Sequence, residues 1–153
     1  MIKRIVSADQ FCKVVDDVSK YLSLNEESNN YYHLLPNNTD TLKKAFGHDK
    51  MLAFNVFVWG NLNNDNKYDA GIIFIKDKSP KHGVELFSEY IWLSANPRVG
   101  YKLLATAIKF ARDNGYENIL MGISEKSPKK DKVKSLYKRL GFIKTSESYI
   151  AKL

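Results

Sequence analysis

Residues 85–104 read Glu85-Leu86-Phe87-Ser88-Glu89-Tyr90-Ile91-Trp92-Leu93-Ser94-Ala95-Asn96-Pro97-Arg98-Val99-Gly100-Tyr101-Lys102-Leu103-Leu104. The first part, within a longer pattern over residues 82–95, is rich in β-formers and predicts a strand. Period-two alternation puts Glu85, Phe87, Glu89, Ile91 and Leu93 on one face, and Leu86, Ser88, Tyr90 and Trp92 on the other. Pro97 ends the strand, since it has no N–H for a ladder. The period then changes. Leu103, Leu104, Ala107, Ile108 and Ala111 form one apolar stripe, predicting a helix from about Val99 to Asn114. Asn114-Gly115 stops it. Residues 119–123 are short and uncharged, as a fully buried strand requires. Strand, helix and strand in this order make a right-handed parallel crossover.

Working back toward the N-terminus, the pattern becomes antiparallel. Ile2–Val6 reads as a first strand. Ser7 and Gln10 form a capping box, and Phe11, Val14, Val15, Val18 and Leu22 mark the buried face of the helix that follows. Thr39 or Asp40 caps a short second helix that Gly47 ends. Residues 51–59 and 68–75 predict a hairpin around the Asn-rich turn at 61–67. Toward the C-terminus, Ser127-Pro128 opens a helix whose stripe is Val133, Leu136, Tyr137 and Leu140. Gly141 closes it, and residues 142–153 predict a last strand. The expected fold is α/β (mixed α+β). Its central mixed sheet has six to seven strands, antiparallel in the N-terminal half with one parallel pair, and helices on both faces.

The chain has 153 residues, which fits one domain over 1–153. Its 44% hydrophobic and 27% charged residues exclude wholesale disorder. No apolar run is long enough for a membrane span, and residues 1–9 have no secretory-signal pattern. The single cysteine, Cys12, excludes an internal disulfide, so a cytoplasmic location is expected. His33, His48 and His82 are scattered without metal-ligand spacing, and no metal is expected. Net charge is +7. Residues 126–144 hold Lys126, Lys129, Lys130, Lys132, Lys134, Lys138, Arg139 and Lys144 against Asp131 alone, and the rest of the chain balances. Such an excess suits a nucleic acid, an anionic membrane or a phosphorylated small molecule, or is simply a solvated helix face.

Two elements carry chemistry. The turn at 95–102 joins a strand to a helix start, where unpaired N–H groups and the helix dipole attract phosphate. Gly100 admits a close approach, and Arg98 and Lys102 add charge. The plainer reading is an ordinary βα turn. Tyr137 lies on an apolar stripe and reads as a core tyrosine, although a phenol can also serve as an acid.

With these residues the chain resembles the GNAT N-acetyltransferase superfamily. Leu136-Tyr137-Lys138-Arg139-Leu140-Gly141-Phe142 is similar to its LYxxLGF signature, and 95–104 to its pyrophosphate loop and helix. Only Gly100 of the R/Q-x-x-G-x-G/A loop is kept. The shortened loop is similar to GNAT-like proteins of tailed bacteriophages. The resemblance covers about 82–153, and over 1–75 it rests on element order. It implies a single acetyltransferase domain that moves an acetyl group from acetyl-CoA to a primary amine, with the parallel strand pair at the cofactor cleft. It implies Tyr137 as the acid for the leaving thiolate, with Glu89, or else Glu85, as the base. A water chain without a single base is the alternative. It also implies Leu93 and Ser94 at the thioester carbonyl. The backbone of Arg98, Val99, Gly100, Tyr101 and Lys102 would hold the pyrophosphate, with Lys130 near the CoA phosphates. The acceptor is a small-molecule or peptide amine, and the family suggests a homodimer. No nucleic acid or membrane partner is expected. Two other readings stand: a GNAT-fold protein without catalysis that works as a binding or assembly module, and a basic nucleic-acid-binding domain. Tyr31, Tyr32, Phe54, Phe57 and Trp59 either line an acceptor pocket or fill the core.

Overall fold

The computed structural model describes residues 1–23, 39–78, 83, 85–123, 129–147, 149 and 151. Four expectations lie outside them: Tyr31, Tyr32, the Ser127-Pro128 helix start, and the histidines His33 and His82. The described chain divides into two compact units, Met1–Gly122 and Ile123–Leu153.

In the first unit, β1 (Ile2–Ile5) sends Ile5 into the core. Half of the capping box at Ser7 forms: Gln10 N donates to Ser7 Oγ at 3.3 Å, while Gln10 Oε1 accepts from Val6 N at 3.4 Å, one residue before the cap. Helix α1 (Ala8–Ser23) buries Phe11, Val14, Val15, Val18 and Leu22, the predicted stripe. Two short helices follow, α2 (Thr39–Phe46) and α3 (Asp49–Phe54). The strand expected from residue 51 begins only at Val56. Met51, Leu52 and Ala53 are good helix formers, and helix continues until Asn55. Strands β2 (Val56–Leu62) and β3 (Tyr68–Asp77) make the expected hairpin.

Next come β4 (Leu86–Ser94), α4 (Pro97–Asp113) and β5 (Ile119–Leu120). The sheet order is β1-β2-β3-β4-β5. The first three pairings are antiparallel, and β4 with β5 is parallel. Helix α1 covers one face, packing on Ile5, Val56, Val58 and Ile73. The other face is aromatic and meets α4. Phe74 and Phe87 stack at 4.3 Å, while Phe110 of α4 lies 5.2 Å from both Phe57 and Trp59. Among these rings sits Arg4, 4.8 Å from the Trp59 centroid, donating to Leu52 O at 3.2 Å. Burial lowers its guanidinium pKa to about 10.

The second unit holds α5 (Lys130–Arg139). Gly141 takes φ +83°, and Phe142 N donates to Tyr137 O at 2.9 Å, closing the helix as its glycine predicts. The last strand is a correction. The described residues after Phe142 form no strand, so among the described residues the sheet has five strands rather than six to seven. Lys144 pairs with Glu147 three residues on, a spacing that puts two side chains on opposite faces of a strand. Residues 143–147 are all exposed, on both parities, where a sheet strand would have buried one face.

Candidate active site

The alternation read over residues 85–93 fails at one point. Ile73 pairs with Ile91, but Phe74 pairs with Glu89, so Tyr90 is an extra residue in β4. This bulge exchanges the two faces beyond it. Phe87 and Glu89 face α4. Ile91 and Leu93 pack instead against the core under α1, and Tyr90 meets Phe46 edge-on at 5.0 Å. Trp92 and Ser94 now face α4, where both approach Gly100. Glu89 therefore shares a face with Trp92 and Ser94, not with Ile91 and Leu93.

β4 and β5 pair at only two positions, Phe87↔Ile119 and Ser88↔Leu120. Beyond them β4 runs on to Ser94 with no β5 partner among the described residues. Half of its backbone groups over 89–94 point away from β3, as in any strand, and form an edge. The first side chain past the last pair is Glu89, whose Oε2 accepts from Gly122 N at 3.0 Å. Burial pushes the Glu89 carboxyl above the usual carboxylate range, and the Gly122 N–H opposes that rise. A carboxyl that binds its proton more tightly is a better base once ionised. Glu85 lies just before β4. It pairs with Lys76 at 3.3 Å and Lys78 at 3.8 Å, so two cations share it.

The helix start is more ordered than its sequence suggested. α4 begins at Pro97 rather than Val99, with Asn96 as N-cap and Pro97 in the first turn. Asn96 Oδ1 accepts from Arg98 N at 2.9 Å and Val99 N at 3.4 Å. Its carbonyl accepts from Gly100 N at 2.9 Å and from Ser94 Oγ at 2.7 Å. Tyr101 and Lys102 lie deeper, where an amide meets the carbonyl four residues back. Gly100 is buried, and a Cβ there would stand 3.2 Å from Ser94 Cβ. Its missing side chain thus serves the packing of α4 on β4. Turning the Asn96 side chain, which is at the protein surface, away would leave the amides of Arg98 and Val99 open to an anion.

Tyr137 belongs to the second unit. It is buried, with its ring 5.2 Å from that of Phe142. Lys130 is the first residue of α5. Of the candidate pocket aromatics, Phe57 and Trp59 are core, while Phe54 is 71% exposed. Among the described residues no cluster of His, Cys, Asp and Glu could hold a metal, and no helix is long and apolar enough to cross a membrane. Asn96 and Gly122 were missed in the sequence. Asn-Pro is a recognisable cap signal, whereas nothing local marks Gly122.

A mixed sheet whose parallel pair parts beside a helix start is a GNAT-like fold, and solved structures that share it include acetyltransferases. A ribosomal-protein-alanine N-acetyltransferase from Brucella melitensis biovar Abortus 2308 matches with TM-score 0.63 and 12% identity, covering 100% of this chain and 99% of that one. AAC(6')-Iy, in complex with the bisubstrate analogue CoA-S-monomethyl-acetylneamine, matches with TM-score 0.65 and 11% identity, covering 100% and 97%. An aminoglycoside acetyltransferase from an uncultured soil metagenomic sample, in complex with sisomicin, matches with TM-score 0.66 and 14% identity, covering 100% and 96%. No protein-family model matches the sequence, and no curated protein does.

Proposed function

We propose that the protein transfers an acetyl group from acetyl-CoA to a primary amine, with residues 1–153 acting as one cytoplasmic acetyltransferase domain. The observation that carries this reading is the parting of β4 from β5 after two pairs, with a half-buried carboxylate at the fork and a helix start at the far end of β4. Acetyl-CoA supplies an activated acyl carbon on a thioester and, through its pyrophosphate, a strong anion. The edge of β4 at Leu93 and Ser94 suits an extended amide-bearing arm, as an added strand would pair there. The amides of Arg98 and Val99 suit the pyrophosphate, helped by the charges of Arg98 and Lys102, and the amide of Gly100 beside them stays with the Asn96 carbonyl. The amides of Tyr101 and Lys102 extend the same turn. The field of Lys130 and its neighbours favours a phosphorylated ligand.

Glu89 takes a proton from the ammonium form of the acceptor, leaving a neutral nitrogen that can attack. Glu85 is the second candidate base, and it is already engaged by Lys76 and Lys78. Tyr137 gives its proton to the departing thiolate. Aminoglycosides are the first acceptors to try, since two of the similar structures hold such ligands, and a peptide N-terminus is the next. A homodimer is the proposed assembly.

Thermal unfolding tests the reading. Ligand at about 100 times its Kd stabilises a fold by about 2.7 kcal/mol. For a chain of this size that raises the midpoint by about 5–10 °C. No shift at millimolar acetyl-CoA would refute it. One observation favours a second reading, a binding protein without catalysis: the Asn96 side chain already holds two of the amides that the cofactor needs. That protein would bind an amine ligand but release no CoA thiol from acetyl-CoA.

A further inference from the structure

The β4–β5 ladder ends where a side chain takes over. After Ser88↔Leu120 the next residue of β4 is Glu89, and its carboxylate reaches across to the backbone N–H of Gly122 at 3.0 Å. A ladder would bring the two backbones to about 4.8 Å. A glutamate side chain spans farther than that, so this contact holds the strands apart while still joining them. The two groups are close enough that a Cβ at Gly122 would lie in ordinary contact with Glu89 Oε2, at 3.4 Å. The Tyr90 bulge begins at the next residue and turns the rest of β4. Among the described residues, the Glu89 side chain thus joins the two strands at the point where their ladder ends.

We propose that Glu89 is a strut between β4 and β5, which fixes the width of the fork so that the β4 edge over residues 89–94 receives one extended, amide-bearing chain. This rests on the reading above, in which that chain is the pantetheine arm of acetyl-CoA. The arm carries two amides in an extended stretch, and the six residues of edge span about 20 Å. The strut and the base use different oxygens: Oε2 holds Gly122, and Oε1 is the acceptor left for the amine proton. Glu89 therefore acts in two separable ways. It is a catalytic residue through its charge and a positioning residue through its reach.

Glutamine and alanine separate the two. E89Q keeps an oxygen for Gly122 but cannot serve as a base, whereas E89A loses both. Hydrogen exchange at the Gly122 amide reads the strut without any ligand, and titration calorimetry with acetyl-CoA reads the fork. In E89Q, Gly122 exchange and the acetyl-CoA Kd should stay within about threefold of wild type while turnover falls. In E89A, Gly122 exchange should quicken and the Kd weaken, each by about tenfold or more. If E89A does not fold, E89D replaces it. Its side chain is one methylene short of Gly122 and should give the same two changes. Unchanged Gly122 exchange in E89A or E89D overturns the strut, as does an acetyl-CoA Kd equal to that of E89Q. A wild-type protein that binds no acetyl-CoA refutes the proposed function instead, and Gly122 exchange alone then decides the strut.

Discussion

Replacing Asn96 should weaken the protein and strengthen its hold on acetyl-CoA, both by the same amount. Its Oδ1 accepts from the amides of Arg98 and Val99. Alanine leaves the carbonyl that Gly100 and Ser94 use and removes only this acceptor. Water reaches both exposed amides, so the loss is that of a helix cap, about 1 kcal/mol. For a chain of this length that lowers the unfolding midpoint by about 2–4 °C. In wild type the cap must be given up before a pyrophosphate oxygen can arrive. Asn96→Ala has no cap to lose, so its acetyl-CoA Kd should tighten by about fivefold, the ratio that ~1 kcal/mol represents. Aspartate keeps the acceptor and adds a charge that the helix dipole favours. Asn96→Asp should melt at or slightly above the wild-type temperature and bind acetyl-CoA about tenfold more weakly, through repulsion between anions. Differential scanning calorimetry and isothermal titration read both quantities. An Asn96→Ala midpoint equal to wild type would refute the cap. An Asn96→Asp Kd equal to wild type would refute anion binding at this turn.

Two further predictions concern the proton-transfer groups. The folded protein raises the Glu89 pKa by burial, so ionised Glu89 costs stability that the protonated form does not. That favourable share is complete below the unfolded carboxyl value and is lost as pH rises through the higher folded value. Glu89→Gln should therefore be at least as stable as wild type at pH 7 and lose that margin near pH 4, as denaturant melts at both pH values would show. In the wild type, kcat/KM should climb with pH through an apparent pKa above the ordinary carboxylate range. For Tyr137→Phe, steady-state rates and titration calorimetry should show turnover down by about tenfold to a hundredfold with acetyl-CoA affinity unchanged, the pattern of a lost acid. An unchanged rate removes Tyr137 from the mechanism.

Local patterns made much of this fold legible. The α1 stripe and the glycine ends of α4 and α5 each follow from a few neighbouring residues and formed as read, and the hairpin formed with its first strand shifted to Val56–Leu62. Two failures had physical causes. The Tyr90 bulge has no local signature, because Glu89-Tyr90-Ile91 alternates as well as any strand, and only the register against β3 reveals it. Residues 51–54 suit helix and strand alike, and tertiary packing buries Leu52 from a helix. Asn96-Pro97 is a different case. The cap signal was present, but Pro97 also ends strands, and that reading hid the helix start. Glu89 was legible as a candidate. Its partner Gly122 lies 33 residues away and required the fold.

The account's central claim is that this fork and helix start perform acetyl transfer. Free CoA thiol released from acetyl-CoA, with and without sisomicin or another aminoglycoside and then across a panel of peptide amines, measures that most directly. The account predicts amine-dependent thiol release that Glu89→Gln suppresses. Release that no amine stimulates, or amine-stimulated release undiminished by Glu89→Gln, would contradict it.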